Sequence, residues 1–92
     1  MKAIFKQADL QAIADAMVDV LRGYENGSRT TTARLAHQLG YTDLTLFDLL
    51  DVHNALLRAA QENHMELDFS EHDGKVEGWP FNLDFIVKHH KR

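Results

Sequence analysis

Ninety-two residues, 45% hydrophobic and 26% charged, describe one globular domain that buries roughly 64% of its unfolded surface and has room for a modest core. With no cysteine, disulfide frameworks, thiolate zinc sites and cysteine nucleophiles are excluded. The formal net charge is −4, against the basic footprint normal for nucleic-acid-binding domains.

Neither Met1–Lys6 nor any later stretch has the apolar run of a signal peptide or of a bilayer span. The expected location is the cytoplasm, with no membrane association. Residues 1–8 read as an N-terminal arm, 9–88 as the domain and 89–92 as a basic tail.

Asp9 can cap a first helix. Its apolar residues Leu10, Ile13, Ala14, Met17, Val18 and Leu21 recur with the helical period, and Gly23 stops it. Asn26-Gly27 marks a turn. Arg29–Thr32 carries three β-branched threonines and reads as a short extended piece, one of whose threonines caps a short helix from Ala33 to Leu39 ended by Gly40. Thr42 or Thr45 can cap a third helix reaching about Asn63, with Leu46, Leu49, Leu50, His53, Leu56, Leu57 and Ala60 on one face and Phe47 beside it.

Two alternating segments follow. In Met65–Ser70, Met65, Leu67 and Phe69 point one way; in Phe81–Lys88, Phe81, Leu83, Phe85 and Val87 do so, and only Ile86 breaks the pattern. Glu71–Pro80 joins them, with turn signals at Asp73-Gly74 and Gly78. Ten residues is long for a hairpin loop. The expected core is Leu10, Ile13, Met17, Leu21, Leu35, Leu39, Leu46, Leu50, Leu57, Leu67, Phe69, Leu83 and Phe85. On that phase of the third helix, Leu50→Ala should cost ~2–5 kcal/mol.

This order of elements, with Thr31-Thr32-Ala33-Arg34-Leu35-Ala36-His37-Gln38-Leu39-Gly40 as a helix and its turn glycine, resembles the winged helix-turn-helix fold. The resemblance implies an α+β domain of three helices followed by an antiparallel β-hairpin. Domains of that shape often associate through the first helix and the terminal elements, so it also implies a homodimer as one partner. A second resemblance covers Ala59–Asn63, Leu67–Ser70 and above all Asp73-Gly74-Lys75-Val76-Glu77-Gly78-Trp79-Pro80-Phe81-Asn82-Leu83-Asp84-Phe85-Ile86-Val87. That run is similar to a set of small bacterial proteins of Gram-positive type with no assigned activity, and carries over no site residues.

A winged helix presents its third helix and its wing to DNA, and affinity requires Lys and Arg against phosphate. Here Thr42–His64 carries Asp43, Asp48, Asp51 and Glu62 against Arg58, a net of −3. Met65–Val87 carries Glu66, Asp68, Glu71, Asp73, Glu77 and Asp84 against Lys75, a net of −5. Both surfaces would repel phosphate. The cations that could serve instead are Arg29, Arg34, Lys88, Lys91 and Arg92, whose bland reading is a solvated helix face and a solubilising tail.

Six histidines are many, yet none pair at metal-ligand spacing on a helix. His53 among leucines reads as a core histidine bonded to backbone. No phosphate loop or nucleophile motif is present. Asp68 and Asp84 facing each other across the hairpin would be an acid pair without a cleft. No catalytic, cofactor or metal residues are assigned, and the chain is read as no enzyme.

Trp79 and Phe81 at the loop edge, with Tyr41, are the candidate partner anchors. The competing reading folds Trp79 back over the core, and Tyr24, Tyr41 and Phe47 carry the same two readings. The first functional expectation is a non-enzymatic protein-interaction or regulatory module with an acidic recognition face. A dimeric DNA-binding regulator is second.

Overall fold

Local chemistry places each element, and the computed structural model describes residues 7–70 and 79–90. Helix α1 spans Gln7–Arg22, so it starts two residues before Asp9, which lies in the first turn rather than at the cap. Strand β1 is Arg29–Thr30. Thr31 caps α2, Thr32–Gln38, by accepting from the Arg34 N–H at 2.9 Å. Gly40 follows with φ +92°, a conformation that L side chains rarely adopt.

Helix α3 spans Leu46–Glu62. Thr45 Oγ1 accepts from the Asp48 N–H and Asp48 Oδ2 accepts from the Thr45 N–H, both at 3.1 Å. This reciprocal box satisfies two orphan donors and sets where the helix begins. Strand β2 is Met65–Asp68, a 3-10 turn covers Pro80–Asn82, and β3 is Phe85–His89.

The three strands form one antiparallel sheet in the order β1-β3-β2. Leu67 stands opposite Val87 and Glu66 opposite Lys88, while Arg29 stands opposite Ile86. Side chains directly opposite share a face, and the face alternates along each strand. Phe85, Val87, Met65 and Leu67 therefore turn inward, where they are buried. Arg29, Glu66, Asp68, Ile86 and Lys88 share the outer face. Ile86 no longer breaks a pattern, because it belongs to that face.

The core is one cluster between α1, α3 and the sheet, joined by Leu35 and Ala36 of α2. Leu10, Ile13, Met17, Leu21, Leu35, Leu67 and Phe85 are buried as expected. The phase of α3 differs from the expected one. Its buried residues are Val52, His53, Ala55, Leu56, Ala59 and Ala60. Leu46 is exposed, Leu50 half-buried, and Leu57 only packed against the cluster. Alanines at 55, 59 and 60, with Ala14 on α1, are buried in the one cluster that joins the two helices and the sheet.

Leu39 and Phe69 are likewise partly buried at the rim of the cluster, and Leu83 is half-buried. The last strand starts at Phe85, not Phe81. Pro80 opens a 3-10 turn over Pro80–Asn82 ahead of that strand, since proline presets its φ and has no N–H for a ladder. Strand β3 extends into the expected tail at His89. Gln7 and Ala8 of the expected arm at 1–8 belong to α1; the rest of that arm, the connecting segment at 71–78 and residues 91–92 of the tail lie outside the described residues. No helix among the described residues is long and apolar enough to cross a membrane.

Candidate functional site

The capping box at Thr45 starts α3 so that its first two residues, Leu46 and Phe47, stand clear of the core. Leu46 is 49% exposed and Phe47 72%. Phe47 lies nine residues before Leu56. At 3.6 residues per turn that is two and a half turns, the opposite side of the helix. Trp79, 37% exposed, meets Phe47 edge to face with ring centroids 6.1 Å apart. On its other side it stacks on Phe81, 5.7 Å away. Phe81 is buried, so it anchors Trp79 instead of offering a contact of its own. Three rings thus run from the interior to solvent.

An acid adjoins this patch: exposed Asp51 lies one turn after Phe47 on the outer stripe that continues through Asn54 and Arg58, while Asp43, also exposed, lies in the segment before the α3 cap. Asp48 is half-buried and engaged in the cap. No ion pair involves Asp43, Asp48 or Asp51 among the described residues. Tyr41, the third expected anchor, is partly buried against the core, and its backbone N–H donates to the Ala36 carbonyl at 2.9 Å.

Three of the cations named for DNA, Arg29, Arg34 and Lys88, lie among the described residues. Arg34 is exposed on α2, and Arg29 and Lys88 share the outer sheet face with Glu66 and Asp68. Lys88 Nζ lies 2.7 Å from Asp68 Oδ2. The Lys88 ammonium, then the Ser70 N–H, hold the Asp68 carboxyl well below the usual carboxylate range, and the same contact raises Lys88. Two cations and two acids leave that face balanced. Lys91 and Arg92 lie outside the described residues.

His53 is a core histidine, but its partner is a side chain, not backbone. Its Nδ1 lies 2.8 Å from Thr32 Oγ1, and Phe69 packs edge-on at 5.7 Å. Burial lowers its pKa by disfavouring the charged ring. Asp68 and Asp84 do not face each other: Asp68 stands opposite Ile86, and Asp84 precedes β3. No group of three or more potential metal ligands occurs among the described residues. An open groove beside β2, lined by Leu57, Gln61, His64, Glu66 and His90 among others, brings together no nucleophile and base.

Leu46, expected on the buried face, is exposed, and of the two readings open for Phe47 the exposed one holds. A helical wheel centred on Val52, Leu56 and Ala59 would have turned Phe47 outward. No family model, curated protein or solved structure matches the chain.

Proposed function

We propose that the chain is a non-enzymatic protein-interaction or regulatory module of winged-helix-like build, with Leu46, Phe47 and Trp79 as its contact surface. The winged-helix reading is supported by the order α1, β1, α2, α3, β2, β3 and by β3 lying between β1 and β2. In that build α3 is the helix that would enter a DNA groove. Its outer stripe begins with Phe47 and Asp51, which offer phosphate an apolar ring and a like charge.

One observation carries the reading: a phenylalanine exposed at 72% and held edge-on against the chain's single tryptophan. Aromatic side chains on rigid supports are the commonest energetic anchors of protein interfaces. A photocrosslinking residue at position 47, activated in the native cell, should give protein adducts that are lost with Trp79→Ala. Adducts to nucleic acid, or a salt-sensitive shift of random-sequence duplex at low salt, would instead support the DNA-binding dimer.

A further inference from the structure

Resting on that reading, we propose that the partner is a cationic protein segment whose aliphatic anchor covers Phe47 and Trp79 while its Lys or Arg side chains meet Asp51. The apolar part of the patch demands an apolar occupant, since water over Leu46 and Phe47 is released only by something greasy. The charge around it selects among such occupants. Asp51 is exposed and has no ion-pair partner among the described residues. An aromatic face beside a carboxylate suits an alkylammonium or guanidinium group, through the ring quadrupole and the charge together.

The same charge disfavours other occupants. A second copy seated with its two-fold axis at Asp51 would oppose that carboxylate to its own copy. A nucleic acid or an anionic membrane would meet a carboxylate at its own phosphates.

Trp79 is the only tryptophan of the chain, so its emission reports the patch directly. The full chain is titrated with two synthetic amphipathic helices, one of leucine and lysine and one of leucine and glutamate. The leucine–lysine peptide should shift Trp79 emission to the blue and saturate; the leucine–glutamate peptide should not. Binding should weaken as salt rises and the Debye length falls from ~30 Å at 0.01 M to ~8 Å at 0.15 M. Phe47→Ala should weaken it roughly tenfold or more, as loss of an interface anchor does. Asp51→Lys, a substitution on the solvent side of α3 that leaves the core untouched, should weaken it roughly tenfold.

Equal response to both peptides, no response to either, or indifference to Asp51→Lys overturns the proposal. So does a blue shift on concentrating the protein alone, which would assign the patch to a second copy. Protein adducts from position 47 together with no preference for the cationic peptide would leave the interaction module standing and remove only its cationic partner.

Discussion

Truncating Leu56 to alanine removes three carbons from a side chain with no exposed surface. At ~0.8 kcal/mol per buried methylene the transfer contribution is about 2.4 kcal/mol. The cavity adds about 1–2 kcal/mol where the neighbours relax only in part, for a total of ~3–4 kcal/mol. Leu50 is half-buried and lies outside the cluster and its rim, so Leu50→Ala should cost ~1 kcal/mol, below the range expected on the leucine-lined phase. A domain of this size has roughly 5–14 kcal/mol in all, so both variants should fold. Urea unfolding followed by far-ultraviolet circular dichroism separates them. With a slope of ~1 kcal/mol/M the midpoint falls by about 3 M for Leu56→Ala and about 1 M for Leu50→Ala. Equal losses, or a larger loss for Leu50→Ala, would refute the placement of the buried face of α3.

His53 makes the fold acid-sensitive. Burial holds its pKa below the ordinary 6.5, so the unfolded chain takes up the proton first as pH falls. Its contribution is full above that value and is lost as pH drops from 6.5 toward the folded-state pKa; a His53→Gln variant should show a shallower loss over the same window in pH-resolved melts. Thr30 Oγ1 is buried with no hydrogen-bond partner among the described residues. Thr30→Val keeps the branched shape and removes that orphan hydroxyl, so stability should rise by ~1 kcal/mol, about 4–8 °C in Tm for a domain of this length; a lower Tm would mean the hydroxyl is bonded in solution. Thr45→Ala removes the capping box at the start of α3 and should cost ~1 kcal/mol, with amide exchange accelerated in the first turn before the rest of the helix.

Much of the fold was legible because the rules that set it act over a few residues. Alternation in Met65–Asp68 put Met65 and Leu67 inside. The period of α1 gave its buried face residue by residue, since polar side chains fill the other side. Thr45 was one of two threonines that could cap α3, and the Asp48 carboxylate three residues later completes the box. The candidate site was only half visible. Trp79 stands out as the single tryptophan after a turn glycine, whereas Phe47, beside the apolar stripe, admits both a core and a contact reading, and Phe81, expected as a contact, is the buried support under Trp79.

By itself, then, the amino-acid order determined the kind and succession of elements: caps, turn residues and side-chain period are local, and each is satisfied within its own segment. Only the tertiary structure decided which side of α3 is inside. That helix carries apolar residues round most of its circumference, from Leu46 to Ala60, so its period alone admits more than one buried face. The side that carries Val52, Leu56 and the three alanines is packed in one cluster with α1 and the sheet, and Leu46 and Phe47 are left to solvent. The order of the strands and the pairing of His53 with Thr32 were settled in the same way, by neighbours far apart in the chain.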